Sequence, residues 1–448
     1  MKFYASGTRN RSFLAGAVTP LLVFMLHAPS VAQLDTLQVG YYSHTSRVSS
    51  WASYAQEGCN LLMPYGTGGG GNWGTYLDAA QAAGLRIILD LHHHPPRWYL
   101  SISTTQIRNL AQQYRNHPAL YGYYIADEPE APWNNEPPSA FQPIYNALKT
   151  GDPGHPVLIC MNVRLPAEYT TIFDELMPDH YPNWESTNNQ PEFNSSVRYS
   201  YTWWRNSVNY VNQYNKGGCI LVGLAGGDGT GGNLRDLTYA EYRWHVFSGI
   251  VLGVNGFVFY WDAPSWLTPS VHALTRQMIQ QMRAIGPQMV RGRGVTDDPR
   301  ISVNQPTSKL RYRYGVVGST HVLLAVNISR WDASDSNGET LSNVQFTLPP
   351  EVQISQVQVL DENRTLPVTD RTFTDSFSRF QVHVYRFGGP PSNQLPTVTL
   401  TAPVNNSTYT APATVPLRAT AGDPDGTVAD VRFYSGTTLL ATDTASPY

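Results

Sequence analysis

At 448 residues the chain is too long for one ordinary domain, so two or three folded units are expected. Its composition is globular: 41% of residues are hydrophobic, 14% are charged, and 30 basic against 33 acidic side chains leave a net charge of −3. No block of like charge stands out, which argues against nucleic acid or an anionic membrane surface as a partner.

The first 32 residues read as an address. Lys2, Arg9 and Arg11 are basic, residues 13–28 are apolar, and Ser30-Val31-Ala32 supplies the small residues of a cleavage site. Residues 1–32 are therefore expected to be a signal peptide. The mature protein is expected to start at Gln33, to be secreted (extracellular or periplasmic), and to have no membrane attachment. Cys59, Cys160 and Cys219 lie in apolar runs, and an odd, sparse set predicts buried free thiols rather than a disulfide framework.

From residue 36 to about 263, short apolar runs alternate with helix-like segments. The runs are 37–42, 59–64, 85–91, 120–126, 156–162, 175–178, 219–225 and 256–261. Several are apolar throughout, as in parallel strands buried on both faces. Helical spacing appears at 75–83, 105–115, 140–149, 199–214 and 239–252, the last behind a Thr238/Glu241 capping box. A further helix is expected from 268 to about 285. Eight strands interleaved with helices predict an α/β fold, a (β/α)8 TIM barrel over 33–290. The open doubly wound sheet is disfavoured, because no Gly-rich phosphate turn follows the first run. Gly68 to Gly71 reads as a loop at the barrel mouth.

The period changes to two from 295 to 388, as in Leu310-Arg311-Tyr312-Arg313-Tyr314 and Val382-His383-Val384-Tyr385. This predicts an antiparallel β-sandwich. Residues 389–396 have linker composition. Strand-like runs then recur within 397–448. An immunoglobulin-type sandwich needs ~100 residues, so a partial, incompletely paired Ig-like module is expected there.

Barrel active sites lie at the carboxyl ends of the strands. The polar residues just after the runs are Asp90-Leu91-His92, Asp127-Glu128, Asp179-His180-Tyr181, Gly226-Gly227-Asp228 and Trp261-Asp262. They place carboxylates, histidine and aromatics on one rim. Glu128 follows the apolar Tyr123-Tyr124-Ile125-Ala126, and such neighbours raise a carboxyl's pKa, as a proton donor requires. Its neighbour Asp127 is expected to face the other way or to shape the loop. His92-His93-His94 does not have zinc-site spacing, since adjacent strand residues point to opposite faces, but one or two could face the pocket. No metal and no cofactor are expected.

The segment Tyr121-Gly122-Tyr123-Tyr124-Ile125-Ala126-Asp127-Glu128-Pro129 resembles the fourth-strand acid/base motif of clan A (β/α)8 glycoside hydrolases. The clan usually has an Asn-Glu pair, and here Asp127 stands in place of the Asn. Tyr181 and Trp261 look like positions lining the clan's −1 subsite. The sandwich is similar to the accessory domain behind many such barrels, and the tail looks like a bacterial immunoglobulin-like module.

The resemblance implies cleavage of O-glycosidic bonds in a poly- or oligosaccharide, with Glu128 as general acid and Asp127, Tyr181 and Trp261 as substrate contacts; His92 and Asp262 join them as expected contacts from their place at the strand ends. A monomer is expected, with carbohydrate as its partner. The chain departs from the clan at strand seven, where 221–228 carries no glutamate. Asp179, narrowly preferred for a wider, inverting separation, Asp228 and, less favoured, Asp262 remain open as the second carboxylate. Trp73, Trp98, Trp133, Trp184 and Trp266 are candidate sugar-stacking platforms; packing within loops is the competing expectation. Two other functions stay open: a non-hydrolytic carbohydrate-binding protein on a degenerate barrel, and a cell-surface adhesion or scaffold protein.

Overall fold

The structure is a computed structural model. It describes residues 34–65, 73–92, 102–182, 193, 195–223, 235–260, 268–329, 338–388, 397–422, 428, 430–435, 438–446 and 448. The expected signal peptide and linker, and the segments containing Asp228, Trp261 and Asp262, lie outside the described residues.

Eight parallel strands close into a barrel in sequence order. They are β1 (Gln38–His44), β2 (Leu61–Tyr65), β3 (Arg86–Asp90), β4 (Leu120–Ala126), β5 (Val157–Met161), β6 (Glu175–His180), β7 (Gly218–Gly223) and β8 (Gly256–Tyr260). The ring closes where β1 pairs with β8, Val39 opposite Phe257. The apolar runs of the sequence form these strands because both faces are covered. Outward residues such as Ile87, Ile125 and Ile159 pack under helices, while Met63, Ile88, Leu158, Met177 and Val258 fill the interior.

Among the described residues seven α-helices surround the ring: α1 (Trp51–Glu57), α2 (Trp73–Ala83), α3 (Thr104–Tyr114), α4 (Pro138–Gly151), α5 (Ser195–Gln213), α6 (Tyr239–Ile250) and α7 (Pro269–Met289). The Thr238/Glu241 capping box forms as expected: each side chain meets the other residue's backbone N–H. Between β5 and β6 the described chain makes only a short 3-10 turn, Ala167–Thr171.

Two antiparallel sheets of three and six strands follow. Their long central pair is β9 (Leu310–Val317) and β10 (Thr320–Asn327), with β11 (Val382–Gly388) beside β10. β10 is buried on both faces. Leu323 and Ala325 face the sandwich core, whereas Val322, Leu324 and Val326 join the apolar cluster of the barrel. On β10's barrel side, Trp244 of α6 donates its indole N–H to the Asn327 carbonyl (3.0 Å), and Phe380 stacks on Phe193 at 4.7 Å between ring centroids. Arg313 of β9 donates to the carbonyls of Met289 and Val290 at the end of α7 (3.0 and 3.2 Å). One face of β10 therefore packs into the barrel's hydrophobic cluster, while its other face builds the core of the sandwich.

In the tail, Thr397–Ala402 pairs with Arg418–Gly422, and Val431–Ser435 pairs with Thr438–Asp443. Ala419, Val431 and Phe433 form its small core. The three cysteines are buried and free, as expected.

Candidate active site

The interior residues of β6 form a ladder along the barrel axis. Glu175 lies at the amino end, Met177 in the middle and Asp179 at the carboxyl end, spaced by two as a strand requires. Glu175 is sealed at the base, where the Tyr121 hydroxyl (2.8 Å) and the Asn255 amide (3.1 Å) donate to it. Burial pushes its pKa up to about 7.

At the carboxyl end Asp127, Glu128 and Asp179 line one cavity of about 160 Å³, together with Tyr42, Tyr124, Cys160, Tyr181 and Tyr260. Both members of the Asp127-Glu128 pair face it, which corrects the expectation that Asp127 turns away. Two features of the backbone bring this about. The β4–β5 pairing slips between Tyr124 and Ala126, and Glu128 adopts φ = 45°, in the left-handed region. A bulge followed by a left-handed residue cancels the alternation of side chains. Such a conformation at a non-glycine residue costs on the order of 1 kcal/mol and is held by its surroundings. Here the Glu128 N–H donates to the Cys160 carbonyl (3.2 Å), and Asn134 donates its side-chain amide to the carbonyls of Asp127 and Glu128 (3.0 and 3.1 Å).

The three carboxyl groups have different surroundings. Asp127 accepts the Tyr124 hydroxyl. Glu128 accepts one donor on each oxygen: the Asn162 amide on Oε1 at 2.7 Å and the Trp133 indole N–H on Oε2 at 2.8 Å. Asp179 is 2% exposed. Burial, followed by the negative charges of Glu128 and Asp127, holds its pKa well above the ordinary carboxylate range. A hydrogen bond to Glu128 favours the protonated Asp179, and one from Tyr181 opposes it. Burial and the neighbouring carboxylates thus favour the protonated form of Asp179, hydrogen-bonded to Glu128.

Neighbouring groups hold this arrangement. Glu130 is buried, and its Oε1 accepts the backbone N–H of Asn162 and of Val163 (2.9 Å each), tying the loop after β5 to the loop after β4. Asn162 is thereby aimed at Glu128. The ring of Tyr181 packs 5.4 Å from that of Tyr260, and Tyr260 packs edge-on to Tyr42 at 5.3 Å. Burial also pushes the Cys160 thiol well above its usual range, so it is no thiolate nucleophile at neutral pH. Behind the rim, burial lowers the His180 pKa to about 4, and the neutral ring bonds the Ser196 carbonyl (2.9 Å).

Of the residues expected at the site, the structure brings together Glu128, Asp179, Asp127 and Tyr181. His92 does not line the cavity; its ring faces Glu136, with Nε2 4.0 Å from Oε2. Trp133 is 64% exposed beside Glu128, as a stacking platform requires. Trp73 is fully buried against Tyr114 and Tyr123 and is a core residue instead. Trp98, Trp184 and Trp266 lie outside the described residues. Sequence reasoning missed Asn162, although it is the first polar residue after a strand, the same signal that found Asp179.

Residues 396–448 match the family model described as a bacterial Ig domain. No curated protein matches the chain. Among solved structures, three similar ones are a beta-galactosidase from Rahnella sp. R3 (TM-score 0.45, 9% identity, 58% of each chain covered), a glycoside hydrolase family 5 protein from Bacteroides vulgatus ATCC 8482 (0.48, 12%, 78% of this chain and 89% of that one), and Eubacterium rectale Amy13B (0.49, 9%, 80% and 97%). The chain spans 58% of the length of the Rahnella enzyme. Barrel and antiparallel sheets, then bacterial Ig domain: that is the order of units.

Proposed function

We propose that the protein is a secreted glycoside hydrolase acting on the O-glycosidic bonds of a poly- or oligosaccharide, with Glu128 as proton donor. The observation that carries this reading is the Glu128–Asp179 pair, two hydrogen-bonded carboxyl groups in one cavity at the carboxyl-terminal rim of the barrel. Glycosidic cleavage needs a proton delivered to the leaving oxygen, and a carboxyl group kept protonated at neutral pH supplies it. Asp179 is the deeper of the two, and its burial favours the protonated form. Glu128, less buried and beside exposed Trp133, faces the leaving group.

The hydrogen bond changes the role expected for Asp179. Carboxyl groups acting from opposite sides of a sugar stand ~5 Å apart in retaining enzymes and ~6.5–9.5 Å apart in inverting ones. A carboxyl bonded to the acid is on the acid's own side, so Asp179 acts through Glu128 as a positioning residue. The signal-like amino terminus and the bacterial Ig domain support action outside the cytoplasm.

The test is release of reducing sugar from a polysaccharide panel, with Glu128→Gln as control. Release by the native protein and loss in the variant is the expected result. Binding without release by either protein would favour the carbohydrate-binding alternative, which the absence of a strand-seven glutamate suggests.

A further inference from the structure

A second concavity lies in the seam between α7 and the six-stranded sheet, and it shares no lining residue with the cavity around Glu128. Its volume is about 580 Å³, inside the ~300–1,000 Å³ range of ligand sites. One wall is a stripe of α7: Gln277, Gln280, Gln281 and Ala284 recur at the spacing of one helix face, and the short Ala284 leaves room among the amides. The other wall is the sandwich. There Gln358, in the strand Gln356–Val359, stands in register opposite Arg386 of β11, and Asp361 lies in the turn that follows. Tyr239, the first residue of α6, adds a ring that is 39% exposed.

These groups are held in place across the seam. Arg243 donates to the Val382 carbonyl (2.6 Å) and, from Nε, to the Gln281 side-chain oxygen (3.2 Å). Gln281 in turn donates its amide to the Tyr239 hydroxyl (2.9 Å), which accepts there and keeps its own hydrogen to give. Arg386 donates to the Ala284 carbonyl (2.8 Å). Both units therefore supply the cleft.

The lining selects a class of ligand. Each of the four glutamine amides offers a donor and an acceptor, which matches the paired hydroxyls of a sugar. Asp361 opposes an anion and Arg386 opposes a cation, so a neutral ligand fits best. Apolar lining is confined to Leu360, Ala284 and the Tyr239 ring, too little for a lipid or an apolar helix. A phenol ring presents a flat apolar face with a polar edge, on which the C–H face of a sugar stacks. An extended peptide would have to add to a strand edge, and Gln356–Val359 is already paired on both sides, with Arg364–Pro367 and with β11.

We propose that this cleft is a second, non-catalytic saccharide site, which holds neutral sugar rings of a polysaccharide on the flank of the barrel. The inference goes beyond the proposed activity and rests on it only for the kind of polymer offered. A polymer held here is tethered while another part of the same chain reaches the catalytic rim, and linked sites of this kind raise the effective concentration of the substrate.

The test is affinity electrophoresis of the full-length protein in gels containing starch, mixed-linkage glucan, xylan or galactomannan, with polygalacturonate as the charged comparison. Glu128→Gln is carried throughout, so that the polymer is not degraded. Gln277→Ala/Gln358→Ala removes one amide from each wall, and Ala284→Leu fills the hollow among them. All three positions are exposed, so folding is retained. Gln113→Ala, at an exposed position of α3, is the control. At least one neutral polymer should retard the parent, and both cleft variants should need about 10-fold more of it for the same retardation, the scale of two lost hydrogen bonds. Gln113→Ala should behave as the parent. Parent-like retardation of either cleft variant would overturn the inference. So would no retardation by any neutral polymer, or an effect of the cleft variants on polygalacturonate alone. Release of reducing sugar by the protein with Glu128 intact decides the hydrolase reading separately.

Discussion

Asp179 and Glu128 meet in a hydrogen bond across the carboxyl ends of β6 and β4, and the pair joins two strands that do not neighbour each other in the barrel. The negative charges of Glu128 and Asp127 add to burial in favouring the proton on Asp179. Asp179→Asn removes this carboxyl and leaves an amide donor beside Glu128. The alkaline limb of its pH–activity profile should move to lower pH, with a fall in kcat of about 100-fold, within the usual range for acid–base catalysis. An unmoved limb would show that the two groups titrate independently.

Asn162 and Trp133 each give a hydrogen bond to the Glu128 carboxylate. Such bonds favour the ionised form. Asn162→Ala and Trp133→Phe should therefore shift the same limb to higher pH, opposite to Asp179→Asn. Steady-state profiles of the three variants provide the comparison.

Glu130 binds two backbone N–H groups of the β5 loop through one buried oxygen. Hydrogen bonds to a charged group contribute about 1.5–3 kcal/mol each, and Glu130→Ala leaves both donors unpaired. A loss of about 2–4 kcal/mol in urea unfolding is expected on that basis, with reduced kcat because Asn162 is no longer aimed.

Glu175 governs a separate pH dependence at the base of the barrel. Its folded pKa of about 7 exceeds the ordinary 4.5, so the folded state binds the proton more tightly than the unfolded chain. The stability this gives is complete below about pH 4.5 and is lost as pH rises through 7. In Glu175→Gln that decline should vanish, and the variant should gain on the native protein above pH 7. Denaturant melts between pH 4.5 and 8 test this.

Barrel and sandwich pack together through β10, Trp244 and Phe380. They should unfold in one transition, and Phe380→Ala should cost about 3–5 kcal/mol to both. Calorimetry with tryptophan fluorescence reports the two units. Two separate transitions would favour the remaining alternative, in which residues 295–448 act independently as an adhesion module.

The strands were legible because burial on both faces leaves uninterrupted apolar runs, and β4 matches its expected 120–126 residue for residue. Glu128, Asp179 and Tyr181 were legible as the first polar groups beyond such runs. The orientation of Asp127 was not. It depends on a slip in β4–β5 register and on a backbone held by hydrogen bonds with residues 134 and 160, which a one-dimensional alternation rule does not contain. Trp73 misled for a related reason: it opens α2 on the helix's inner face, where an indole packs into the core. The contact between Asp179 and Glu128 spans 51 residues of sequence, and only closure of the ring reveals it.

The proton-donor role of Glu128 is tested most directly by leaving-group dependence. Aryl glycosides of the preferred sugar, graded in leaving-group basicity, are compared in the native protein and in Glu128→Ala. A dinitrophenolate departs without a proton, so the variant should cleave that substrate at close to the native rate for bond breaking, and lose rate steeply as the leaving group grows more basic. A uniform loss across the series would contradict the assignment of Glu128 as the group that protonates the leaving oxygen.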